Sequence, residues 1–285
     1  MKPAEQWRLG LAQYLAQFYT SRPDVVMVLL GGSMAQGTAD AYSDMDLFVY
    51  WGGATLDVAA LTRAAGLKAV TGDRLAEQWV WEGRAFLEQY TLGHLRVDVE
   101  HVTLAQWERA AAEVTEQLRP IAATQCRLAG FLTAHVLSGE ALYRPIRERL
   151  AVYPADLAER AVAEALDISA LWQLSEQSLA RQAWPSFSVA LNGLLQHSVA
   201  ALAGLNHRYL PTETLKWLGH WVNELPICPP DSAERLTHLF AVNPQEAVAG
   251  LEIYLGELIT LVEQQLPNLD TRPVRRLLNL EDANA

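Results

Sequence analysis

Hydrophobic and polar positions follow two rhythms along this chain, and the change falls near residue 103. Before it, apolar residues come in short runs. Val25–Leu30 and Leu47–Tyr50 read as buried strands. Trp79–Trp81, Ala85–Thr91 and Leu95–Val102 read as strands of a meander, with "EGR" and "LGHL" as its turns. Thr55–Ala65 reads as a helix, with Thr55 as its cap and Gly66 as its stop. Near the N-terminus, Trp7, Leu11, Tyr14, Leu15 and Phe18 mark one face of an amphipathic helix. After Thr103 the apolar positions step by three and four. Leu128–Leu137 is one helix candidate. Ala155–Gln182 is a long one with Pro154 at its start, and Phe187–Leu205 is another. In the last, Val248, Leu251, Leu255, Leu258, Val262 and Leu266 share a face. These stripes predict the core of a helix bundle. The expected fold class is therefore α+β: a small sheet with helices over residues 1–115, then an all-helical domain over 116–285. The boundary lies within Thr103–Ile121.

Composition narrows this picture in three places. Over 285 residues, 51% are hydrophobic, which is enough for one large core or two ordinary ones. Cys126 and Cys228 are the only cysteines and lie far apart, which fits a reducing compartment and offers no zinc-site spacing. Charges and amides interrupt the first twenty residues, so a signal peptide or membrane span is not expected there. The expectation is a cytoplasmic chain with no membrane partner. A net charge of −11, from 22 Lys and Arg against 33 Asp and Glu, disfavours a broad nucleic-acid footprint. It is compatible with a cationic small substrate.

One strand breaks the rule that cores are apolar. Side chains alternate faces along a strand, so Asp44 and Asp46 point the same way, with Met45 and Leu47 opposite. Two anions this close repel, and burying them unpaired is costly. They call for a cation, and oxygen ligands suit Mg²⁺. The plainer reading has Asp44 capping a turn after Ser43 and Asp46 meeting an arginine. The preceding stretch bears on the choice. Gly31 and Gly32 end a buried strand and let the backbone approach a ligand. Ser33 offers a hydroxyl where a short helix begins, and Gly37 supplies a further bend. A phosphate cradle would then be joined directly to a metal site. On a later strand, Asp98 and Glu100 share a face, with Val97 and Val99 on the other. If "LGHL" closes a two-residue turn, Asp98 lies opposite Gln89 and Glu100 opposite Leu87, and Glu88 faces away. Arg96 shares the face of Asp98 and can pair with an acid. The histidines show no metal-binding spacing, and Trp172, Trp184, Trp217 and Trp221 read as core or cleft walls.

Gly32-Ser33, ten residues, Asp44-x-Asp46, and an aspartate on a strand about fifty residues later together resemble the DNA polymerase β-like nucleotidyltransferase superfamily. The pattern covers residues 25–102. A short catalytic domain followed by helices resembles the aminoglycoside and lincosamide nucleotidyltransferases, and also bacterial standalone nucleotidyltransferases of unassigned substrate. The stretch "LNHRYLPTETLKWL" is similar to the latter. The resemblance implies a small mixed sheet backed by helices, with ATP or another nucleoside triphosphate on its open face. Two Mg²⁺ ions would bridge Asp44, Asp46, Asp98 and the triphosphate. Ser33 and the amides after Gly32 would hold phosphates, with Gly37 shaping the loop. Asp98 or Glu100 would serve as general base. Lys216, the only lysine in the helical half, would reach the triphosphate. The expected reaction places AMP on a hydroxyl of a small molecule, possibly aminoglycoside-like, bound between the domains. The alternatives are transfer to protein or RNA, and a non-catalytic nucleotide-binding regulator. The complete carboxylate set weighs against the regulator.

Overall fold

The computed structural model describes residues 3–58, 61, 74–211 and 215–280. The expected helix Thr55–Ala65 lies mostly outside them. The chain groups into two compact units. The first runs through Gln117 and resumes over Arg127–Val152; the second takes Leu118–Cys126 and the chain from Tyr153 onward.

The first unit is built on a mixed six-stranded sheet. Its strands are β1 (Val25–Leu30), β2 (Met45–Trp51), β3 (Arg74–Val80), β4 (Ala85–Leu92), β5 (Leu95–Thr103) and β6 (His135–Ser138), in the order β3-β4-β5-β2-β1-β6. Only β2 and β5 pair in parallel. The two-residue turn after Leu92 fixes the β4–β5 register as the sequence implied, with Asp98 opposite Gln89 and Glu100 opposite Leu87. One face of the sheet is apolar. Val28, Leu30, Met45, Leu47, Val49, Val97 and Val99 are buried there beneath α1 (Pro3–Thr20).

The buried side of α1 differs from the expected stripe. Ala12, Leu15, Ala16 and Tyr19 face the sheet, whereas Trp7 and Tyr14 are exposed. Two alanines allow the helix axis to approach the valines more closely than a row of aromatic rings would. The other face of the sheet is only partly open. Tyr50 packs edge-on against Trp107 of α3 (Leu104–Thr115) and Phe131 of α4 (Ala122–Thr133). Tyr143 of α5 (Glu140–Leu150) stacks on Phe131 and donates its hydroxyl to the Phe131 carbonyl at 3.0 Å. The expected helix Leu128–Leu137 is therefore corrected: it ends at Thr133, and His135–Ser138 adds a strand beside β1. Gly139 joins that strand to α5.

The second unit is helical. Its core gathers helices Ala155–Ala165, Trp184–Leu205 and Pro244–Gln265, with Leu194, Leu251 and Val262 fully buried. The expected long helix Ala155–Gln182 is broken. It stops at Ala165, the Asp167 carboxylate accepts the Ser169 amide at 3.2 Å, and the chain resumes with a short turn, Ala170–Trp172, that runs into a π-helical segment over Gln173–Leu179. Asn243 caps the last long helix through its side-chain oxygen and the Glu246 amide, with Pro244 following. Asn206 stitches the end of helix Trp184–Leu205 to a distant loop. Its amide donates to the Leu202 and Ile227 carbonyls at 2.8 and 2.7 Å and accepts the Ile227 N–H at 2.9 Å. Trp184–Leu205 is also long and apolar enough to cross a membrane. However, 61% of its most apolar window is buried inside the unit, the pattern of a core helix.

Candidate functional site

The parallel register sets Asp46 beside Asp98, and Asp44 lies one residue before β2. Asp44, Asp46 and Asp98 each offer a carboxylate oxygen, all within 4.8 Å of one another. Two ligands on opposite sides of one Mg²⁺ ion stand about 4.2 Å apart, twice its usual ligand distance. The cluster therefore needs only a small closure to hold one ion, and its oxygen-only chemistry suits a hard divalent cation.

The cluster has a resident cation. Arg96 donates from Nε and Nη2 to the two oxygens of Asp98 at 2.8 and 2.6 Å. Its Nη2 lies 3.9 Å from Asp44. Gln89 adds a third donor to Asp98 at 3.0 Å. Hydrogen bonding to Asp98 raises the Arg96 guanidinium above its ordinary pKa despite partial burial, so its charge is fixed. The Arg96 side chain remains half exposed and Asp98 nearly buried, so the arginine sits as a lid on a sunken carboxylate.

Gly32 has an unexpected reason to be glycine. It begins α2 (Gly32–Gln36) at φ +60, and a Cβ there would lie 1.8 Å from Asp46 Oδ2. The space its missing side chain leaves is taken by the Asp46 carboxylate. Ser33 follows, and its buried hydroxyl has no hydrogen-bond partner among the described residues. A phosphate oxygen would satisfy it. Gly37, at φ +71, ends α2 by donating its N–H to the Ser33 carbonyl. A Cβ there would meet nothing within 4 Å, so its part here is to turn the chain.

Glu100 is held away from the cluster. Arg127 donates to both its oxygens at 3.1 and 2.9 Å, and the guanidinium lies over the Trp81 ring at 4.6 Å. Trp81 itself adopts φ 51, a costly conformation for a bulky residue. Lys216 stands exposed in the second unit, between Leu215 and Trp217, both at positive φ. Sequence reasoning missed Arg127 and Trp81. They lie 27 and 19 residues from Glu100, and no local period links them. Gln89 was placed opposite Asp98 without being counted as a partner, although that register was its signal.

On the acid-bearing strand's opposite face, His101 and Glu88 form a buried pair at 3.1 Å, and Trp51 Nε1 donates to His101 Nδ1 at 3.3 Å. That donation makes Nδ1 an acceptor, so Nε2 carries the proton toward Glu88. This face packs on α1 and takes no part in the carboxylate cluster.

Residues 11–82 match the family model described as a nucleotidyltransferase domain. Residues 121–218 match a domain of unknown function, DUF4037. No curated protein matches the chain. Among solved structures, the nucleotidyltransferase-like protein of Exiguobacterium sibiricum is similar at 12% identity, with a TM-score of 0.41. The match covers 90% of this chain and 78% of that one.

Proposed function

Because the N-terminal part of this chain is a nucleotidyltransferase domain of the DNA polymerase β-like superfamily, we propose that it moves AMP from ATP onto a hydroxyl of a small molecule. The observation that carries the reading is the convergence of three carboxylates within 4.8 Å. They lie beside a glycine turn whose next residue holds a buried, unpartnered hydroxyl. Asp44, Asp46 and Asp98 would hold Mg²⁺. Divalent ions bound there lower the pKa of an attacking hydroxyl and stabilise charge on the departing pyrophosphate. The chain's own groups supply the rest. The Ser33 hydroxyl donates to a phosphate oxygen. The acceptor oxygen bonds to the α-phosphorus, the bond from that phosphorus to the bridging oxygen breaks, and pyrophosphate leaves. The proton passes to Asp98, because Asp98 lies in the cluster with Asp44 and Asp46 whereas Glu100 lies outside it on Arg127.

The test is transfer of label from α-labelled triphosphates, with Mg²⁺, to hydroxylated antibiotics, metabolites, RNA and the protein itself. Label on a small hydroxylated compound, with ATP preferred, is the expected result. Label on RNA or protein alone would move the acceptor to a different class. No transfer to any of them would refute the reading.

A further inference from the structure

We propose that the Thr38 hydroxyl is a second ligand, beside Ser33, for a phosphate of the bound triphosphate. The proposal deepens the nucleotidyl-transfer reading and rests on it. Two hydroxyls in the stretch between β1 and β2 are buried without a hydrogen-bond partner among the described residues, Ser33 Oγ and Thr38 Oγ1. They bracket α2, one at its start and one just past its Gly37 end. The Ser33 carbonyl accepts both the Gly37 N–H and, at 3.0 Å, the Thr38 N–H. Those two bonds close the single turn of α2 and tie the Thr38 backbone to the Ser33 backbone.

The same loop satisfies its other serine hydroxyl fully. Ser43 Oγ donates to Asp40 Oδ1 and accepts the Asp40 N–H, both at 2.9 Å. The unpaired state of Ser33 and Thr38 is thus a local exception, and buried polar groups without partners are uncommon and costly. Thr38 also cannot easily turn away to find one. Arg8 Nη1 clamps the loop through the Asp40 carbonyl at 2.7 Å, and the Tyr42 amide donates to Asp40 Oδ1 at 2.9 Å. A β-branched side chain on a pinned backbone keeps few rotamers. What both hydroxyls lack is an acceptor, and an anionic phosphate oxygen is a strong one. An anion beside Asp46 must arrive with its own cation, so the site takes a metal-bound triphosphate rather than free phosphate.

The experiment is calorimetric titration, with Mg²⁺, of an ATP analogue carrying methylene between the α and β phosphorus. It is run on the wild type, Thr38→Val, Thr38→Ser and Ser33→Ala, alongside thermal melts without ligand. Thr38→Val should weaken the analogue about tenfold or more, and Thr38→Ser should restore it. The ligand-free melting point of Thr38→Val should be unchanged or higher, because no bond is lost. Wild-type affinity in Thr38→Val overturns the proposal, even if Ser33→Ala binds weakly. So does a lowered ligand-free melting point, which would reveal a structural partner. A wild-type protein that fails to bind the analogue at all refutes the underlying transfer reading instead.

Discussion

Replacing Gly32 with alanine separates two costs that the structure assigns to different glycines. The first is conformational. At φ +60 an L-residue pays about 1–2 kcal/mol for the left-handed region. The second is steric. The new Cβ would stand 1.8 Å from Asp46 Oδ2 and 2.8 Å from its Cγ, where ordinary contact begins near 3.4 Å. The carboxylate must retreat by about 1.5 Å, and forcing it off its rotamer adds about 0.5–1.5 kcal/mol. The expected destabilisation is about 1.5–3.5 kcal/mol, read as a shift in the urea unfolding midpoint. Because the retreating group belongs to the carboxylate cluster, divalent-ion affinity should fall as well, by about tenfold or more. Gly37→Ala is the control. Its φ is +71, but a Cβ there meets nothing within 4 Å. It should lose only the conformational part, about 1–2 kcal/mol, and bind Mn²⁺ normally by electron paramagnetic resonance. Equal stability and equal Mn²⁺ affinity in the two variants would refute the reasoning.

Asp46→Asn and Asp98→Asn should each abolish nucleotidyl transfer while the circular dichroism spectrum is retained, whereas Glu100→Gln should keep a substantial part of the rate. A dead Glu100→Gln with normal triphosphate binding would return the base role to Glu100. Burial raises the Tyr209 and Tyr254 phenols to about 12, and both hydroxyls are neutral in the fold. Stability should therefore be intact below pH ~10 and fall as pH rises from about 10 to about 12, at about 1.4 kcal/mol per pH unit for each. Urea melts across that range that show no slope would contradict the assignment. Asn206→Ala removes three hydrogen bonds and leaves the Ile227 amide without its acceptor, which should cost about 1–3 kcal/mol in the same melts.

The shared faces of the carboxylates were legible because strand alternation and a two-residue turn are local rules. They place Asp44 and Asp46 on one face and put Asp98 opposite Gln89 with no tertiary information. The rest depends on distant partners. "HVLS" sits at the end of an apolar run that reads as helix, and it becomes a strand because β1 offers it an edge. Ala155–Gln182 carries a continuous apolar stripe, yet the first helix ends at Ala165 and the Asp167 carboxylate takes the Ser169 amide ahead of the next turn. Nothing in the spacing of Glu100 and Arg127 announces that they meet, and so the sequence left two carboxylates open as the base. Nor can a pattern reveal that a hydroxyl lacks a partner, which is why Thr38 went unnoticed beside Ser33.

The strand β6 bears on how this chain can be divided. The first unit closes its sheet with a segment taken up only after Leu118–Cys126 has been given to the second unit. The two units are interleaved, not strung end to end. A fragment ending at Gln117 would keep every carboxylate of the cluster and still leave β1 with a bare edge. Bare edges invite pairing with another chain. A cut after Val152 would keep the sheet whole but strand Leu118–Cys126 on the wrong piece. No single crossover in the gene exchanges one unit cleanly for another, so catalytic and helical parts would be inherited together.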